Sequence, residues 1–256
     1  MTATTAPSAR KRRPWVPVVI VLAVIAALVA VFFIADAIVR GVAEQRVKAE
    51  IEQHLPSNVQ ADVQVSIGGV SVIGQYLAGT FDEVRLSDAK LTVDGIPLDV
   101  DVTATGVPVE QDQPIGNVTS TITVDAQGAQ QITKAAGLTG KLTLGKDVVG
   151  YADELKALGL TVPYSFEVKP TTSADRVTFV PTKVDVDAGA FGTIDLSRAA
   201  EALLATNPPS LCVAQYLPAG ATLDGLTITP KQATAHLSST TLRLDAASLQ
   251  TLGTCS

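Results

Sequence analysis

Apolar and polar positions alternate along this chain in several distinct rhythms. From Val16 to Ile34 every residue is apolar or proline and no charge appears. A helix over that block rises ~1.5 Å per residue and reaches roughly 28 Å, close to the hydrocarbon thickness of a bilayer. Beyond it, Ile38, Val42, Val47, Ile51 and Leu55 recur at spacings of four or five, with Arg40, Glu44, Lys48 and Glu52 between them. This predicts an amphipathic helix, ended by Pro56-Ser57-Asn58, whose charged face is solvated while it packs on a sheet or lies along a bilayer surface. Val59, Ala61, Val63, Val65 and Ile67 then alternate strictly, as in a half-buried strand.

Further alternation at Phe81–Leu86, Lys90–Val93, Leu98–Ala104 and Val118–Val124 predicts an antiparallel meander. Gln130–Ala136 and Tyr151–Leu158 have helical character, the second closed by Gly159. Strands are expected again at Thr161–Val168, Arg176–Val186, Thr222–Thr229, Ala233–Leu237 and Thr241–Leu244. Ser197 is placed to cap a short helix through Ala205, before Pro208-Pro209. The class is α+β, dominated by antiparallel strands and preceded by one N-terminal transmembrane helix.

Charge gives that helix a direction. Arg10, Lys11, Arg12 and Arg13 precede the apolar run and Asp36 is the first charge after it, so residues 1–15 are expected to be a disordered basic tail in the cytoplasm. Residues 16–35 form the span, and 36–256 an extracytoplasmic β-rich domain. Cleavage after Ala37 is the competing reading, because Ala35-Asp36-Ala37 has the small-x-small form of a signal-peptide site. The chain's formal charge is −6 even with those four basic residues counted, which argues against nucleic acid as a partner. Cys212 and Cys255, free to pair in an exported domain, enclose a ring of about 43 residues, worth roughly 4 kcal/mol by loop-closure entropy. A metal or nucleophilic role for them has little support from two histidines and no C-x-x-C.

Catalytic patterns are sparse. His54 and His236 form no i,i+4 pair, and Gly69-Val70-Ser71-Val72-Ile73-Gly74 is one residue too long for a G-x-S-x-G elbow, with no clear helix expected after it. Asp99/Asp101 and Asp185/Asp187 are pairs at i,i+2, as a solvated strand face also requires. No nucleotide-binding glycine motif is present. Neither a catalytic residue, a metal site nor a cofactor is expected. The segment Gly68–Gly79 is unusually apolar for a connection between strands. It is either a core-facing strand and turn, the wall of an apolar cavity, or a surface that dips into a membrane.

The order of these features resembles a known family. A basic N-terminus, one membrane segment and a helix ending in Leu55-Pro56 lead to Val65-Ser66-Ile67-Gly68-Gly69 and then Leu77-Ala78-Gly79-Thr80-Phe81-Asp82-Glu83-Val84. This is similar to the actinobacterial LmeA-like exported phospholipid-binding proteins, as are Cys212 and the Tyr216-Leu217-Pro218-Ala219-Gly220 turn. Where the family often has a Phe-Pro-Phe-like run after the double glycine, this chain has Val70-Ser71-Val72. The resemblance implies a tubular-lipid-binding-like architecture, a long curved sheet wrapping a helix around an apolar groove. It also implies a part in assembling or maintaining envelope glycolipids of the lipomannan type. On this reading the protein is a non-enzymatic binder of phospholipid or glycolipid at the outer face of the cytoplasmic membrane, with Val70, Val72, Ile73, Tyr76, Leu77 and Phe81 lining the groove. An envelope scaffold holding a protein partner is the alternative, and a hydrolase of envelope lipid or glycan is a third.

Overall fold

A computed structural model describes residues 15–54, 59–110, 112–157, 160–187, 189, 192–204 and 208–255. The basic tail, the Pro56-Ser57-Asn58 stop and Gly159 lie outside the described residues. Helix α1 (Val16–His54) is unbroken for 39 residues, so the apolar run and the amphipathic stretch are one rod. Pro17 sits in its first turn, where a missing N–H costs nothing. Strand β1 (Val59–Ile67) returns along it, and a short helix α2 (Val72–Ala78) leads into the long hairpin of β2 (Thr80–Val93) and β3 (Ile96–Pro108). Then come β4 (Asn117–Asp125), α3 (Ala126–Ala135), β5 (Lys141–Leu144), β6 (Val149–Ala157), β7 (Leu160–Thr172) and β8 (Arg176–Asp187). The chain closes with β9 (Thr193–Asp195), α4 (Ser197–Leu204), β10 (Ser210–Cys212), β11 (Thr222–Ile228), β12 (Gln232–Ser239) and α5 (Ala246–Gln250).

The strands divide between two antiparallel sheets. The first runs β1-β2-β3-β4-β12-β11, and the second β10-β8-β7-β6-β5 with β9 beside β8. Directly paired residues share a face, so the register Val65–Leu86–Val102 and the neighbouring Val100–Ile122–Ala235 define one apolar inner face across the first sheet. At one end of that face Val107, Ile115 and Val118 are buried with Phe81, Val84, Val102 and Leu242 around them. Near β11, Val177 of β8 packs with Leu223 and Leu237, joining the two sheets. Helix α3 lies over β3 and β4, so closely that a Cβ at Gly128 would stand 2.8 Å from Val124.

Two local expectations are corrected. Tyr151–Leu158 was expected to be helical, but Tyr151 to Ala157 belong to strand β6. Pairing with β7 places Tyr151 against Phe166 with ring centroids 5.4 Å apart, and such tertiary packing outweighs the weak helix preference of Glu, Lys, Ala and Leu. Thr241–Leu244 forms no strand. Ser239 Oγ accepts from the backbone N–H of both Thr241 and Leu242, which turns the chain away from the sheet and leaves a single bridge from Arg243 to Pro114.

Cys212 and Cys255 are joined, tying the C-terminal segment to β10 beside β8. Replacing both cysteines by serine is expected to lower the unfolding free energy by up to roughly 4 kcal/mol, read from urea unfolding of the full chain in detergent micelles. Leu237→Ala, at a side chain buried where the sheets meet, is expected to cost about 2–4 kcal/mol in the same measurement.

Candidate functional site

Ile67 ends β1 opposite Val84, and β1 is the outermost strand of its sheet. Both backbone groups of Ile67 point away from β2, and charged side chains of α1 satisfy them. The Ile67 N–H donates to Glu44 Oε1 at 2.8 Å, while Arg40 donates to the Ile67 carbonyl at 3.0 Å and to the Gly69 carbonyl at 2.9 Å. One strand-length away, Lys48 pairs with Asp62 at 2.8 Å. The helix therefore docks through its charged face, the reverse of the amphipathic expectation. An edge strand offers unpaired N–H and C=O groups, and ionised side chains serve these better than valines can. Ile38, Val39 and Val42 are left on the outside.

At the root of this contact, α2 is stitched to α1. Asp36, only 3% exposed, accepts from Ser71 Oγ at 2.7 Å and from the Ile73 N–H at 2.9 Å, and Arg40 stands 3.6 Å from its other oxygen. Ser71 in turn caps α2 by accepting from the Gly74 N–H at 3.0 Å. A helix does follow the Gly69–Gly74 stretch, contrary to expectation, and the Ser71 hydroxyl is engaged as its cap. Gln75, also buried, donates to the carbonyls of Gly68 and Ser71 and accepts from the Asp82 N–H at 2.6 Å. Gly69 is obligatory here: its φ is +84°, and a Cβ would stand 2.5 Å from Gln75 Nε2. Gly79 ends α2 with φ +80°.

The six residues singled out for lipid contact separate into two sets. Val72 is buried, Ile73 half-buried, and Phe81 packs beside the Val107–Ile115–Val118 cluster. Val70, just before the cap of α2, and Tyr76 and Leu77 on its outside are 79%, 61% and 81% exposed. A cleft of about 440 Å³ opens beside them, lined by Tyr76, Gly79, Thr80, Val109, Glu110 and Gln113 among others.

The inner face of the first sheet was not singled out as a site, because alternation looks the same whether a strand faces a core or a ligand. Its central positions, Val65, Leu86, Leu91, Leu98, Val100 and Val102, are all half-buried and none is sealed. Among the described residues no large side chain is fully enclosed. The central strands thus leave part of their apolar face uncovered.

Of the paired carboxylates, Asp185 pairs with Lys183 at 2.8 Å and Asp187 accepts from the Gly189 N–H, while Asp99 and Asp101 lie on the exposed face of β3. A hydrogen bond from Tyr151 holds the Asp153 carboxyl below its ordinary range, as bonds from Ser197 and Ser248 do for Asp195 and Asp245. Each is thereby kept ionised. His236 is exposed on β12, and among the described residues no cluster of three His, Cys, Asp or Glu could hold a metal ion.

A family model described as LmeA-like phospholipid-binding matches residues 34–238. No curated protein and no solved structure matches the chain. The helix–edge contact makes its own prediction. Glu44→Ala leaves the part-buried Ile67 N–H without its acceptor and is expected to cost about 1–3 kcal/mol, with faster amide exchange at Ile67. Val47→Ala, on the outer side of α1, is expected to stay within about 0.5 kcal/mol of wild type.

Proposed function

The chain belongs to the LmeA-like phospholipid-binding family, and from that premise we propose that it holds the acyl chains of a phospholipid or glycolipid against the inner face of its first sheet. The observation that carries this reading is the row of valines and leucines from β1 to β3, apolar at every second residue and, the buried Val63 apart, left partly uncovered. Each CH₂ removed from water there contributes ~0.8 kcal/mol, so two acyl chains bind without a cluster of charges. That suits an acidic chain with only 4% aromatic residues. Val70, Val72, Ile73, Tyr76, Leu77 and Phe81 stand at the α2 end of this face, as the rim past which a lipid enters.

The same proposal sets the protein in the membrane. Residues 16–35 of α1 cross the bilayer once, with Arg10–Arg13 retained in the cytoplasm and the β-rich part outside. The disulfide supports an oxidising compartment for that part. In this position the protein serves the assembly or maintenance of envelope glycolipids without itself making or breaking covalent bonds.

Native mass spectrometry of the full chain, delipidated in detergent and then offered phospholipid, tests the groove. Wild type is expected to take up a single lipid. Val100→Asp is expected to reduce uptake by more than roughly tenfold, because an uncompensated carboxylate among acyl chains costs well over the ~1.4 kcal/mol that tenfold represents. Asp99→Asn, on the opposite face, is expected to bind as wild type does. Equal uptake by all three would overturn the groove, and an empty wild type would favour a scaffold that binds a protein.

A further inference from the structure

We infer that α2 and the adjoining turn of α1 are a membrane seat, resting in the interfacial zone of the outer leaflet with Val70, Tyr76 and Leu77 inserted. The inference rests on the reading of α1 as a membrane span and goes beyond lipid binding in the groove. Its first support is depth. The charge-free run ends at Ala35, and the next residue, Asp36, already accepts hydrogen bonds from Ser71 and Ile73 at 2.7 and 2.9 Å. No linker separates the span from α2, so α2 sits at the level where α1 leaves the hydrocarbon.

Its second support is the direction of the apolar side chains. Tyr76 and Leu77 are held outward on a helix whose other side is fastened by Val72 and Gln75, both buried, and Val70 is exposed just before its cap. On α1 the apolar surface continues past the charge-free run, with Ile38 64% and Val42 49% exposed. The charges of that stretch, Asp36 and Arg40, are turned inward and paired with each other and with β1 and α2. The outside of the junction is therefore apolar just where the protein meets the bilayer. Insertion there takes the Leu and Val side chains out of water, and a tyrosine suits the headgroup boundary with its ring in and its hydroxyl out.

The chain supplies its own probe, since Trp15 is its one tryptophan and stands at the start of α1. The full chain is reconstituted into phosphatidylcholine vesicles with and without lipids brominated near the headgroup end of the acyl chain. Trp15 fluorescence in wild type reports the span, and Trp15→Phe with Leu77→Trp reports the seat. The Leu77→Trp indole is expected to emit to the blue and lose most of its intensity to bromine. An indole placed at Leu155, exposed on the second sheet, is expected to emit as in water and keep its intensity. Quenching of Trp15 without quenching at position 77 would overturn the seat and leave the span standing. Absence of both would overturn span and seat together. Adding Val100→Asp separates bilayer from groove-bound lipid: quenching at 77 that persists supports the seat, and quenching that disappears assigns it to lipid in the groove and overturns the seat.

Discussion

An unpaired strand edge and the charges that cover it govern the geometry of this protein. Strand β1 closes one side of a six-stranded sheet, and its outward backbone groups need partners other than water if the sheet is not to invite another chain. Arg40, Glu44 and Lys48 of α1 supply them at spacings of four, one turn of helix apiece. The sheet is thereby bolted to a helix of 39 residues, about 58 Å of continuous rod at ~1.5 Å per residue. A domain fixed this way to its helix cannot swing about a linker, and its orientation follows from the helix that carries it.

The same bolt decides which end of the sheet lies near the apolar run. Strand β1 runs back along α1 and ends at Ile67, within reach of Arg40, so α2 and the start of β2 fall at the root of the helix. The inner face of the sheet extends away from there, closed by the Val107–Ile115–Val118 cluster near the root and by α3 over part of β3 and β4. Between them the alternating valines and leucines are only half-covered. A sheet that had to stand alone would seal such a face with large side chains. With 4% aromatic residues the chain has few to spend there, and a guest with flexible hydrocarbon tails fits an irregular apolar surface without needing them.

Much of this architecture was legible in the sequence. Alternation at β1, β3, β4, β11 and β12 survives because each of these strands has one face apolar and one polar, the condition that writes a two-residue period into a chain. Cys212 and Cys255 pair as expected. Legibility failed where long-range contacts rule. Tyr151–Ala157 carries helix-favouring residues, yet its neighbours Leu142 and Phe166 make it a strand. The charged face of α1 was taken as solvated because a single sequence shows which side of a helix is charged, not which side has a strand edge to serve. Short α2 was hidden for a similar reason. Its cap at Ser71 and its stop at Gly79 are ordinary signals, but a run of seven residues between them has too little periodicity to distinguish a helix from a turn.

Charge bookkeeping around the junction narrows the way such a protein can meet a bilayer. Anionic lipid surfaces attract exposed lysines and arginines, worth ~1 kcal/mol apiece near the surface. Of the basic residues of α1 beyond the apolar run, Arg40 is committed to Asp36 and to two backbone carbonyls and Lys48 to Asp62 and Glu52, while Arg46 between them is exposed. Releasing Arg40 for a phosphate would leave buried Asp36 and the strand edge unsatisfied. In that stretch of an acidic chain electrostatic attraction would fall to exposed Arg46, whereas Val70, Tyr76, Leu77, Ile38 and Val42 form an apolar surface that salt does not screen. The inward charges and the outward valines and leucines are two sides of one arrangement: pairing the first with the strand edge is what leaves the second facing outward.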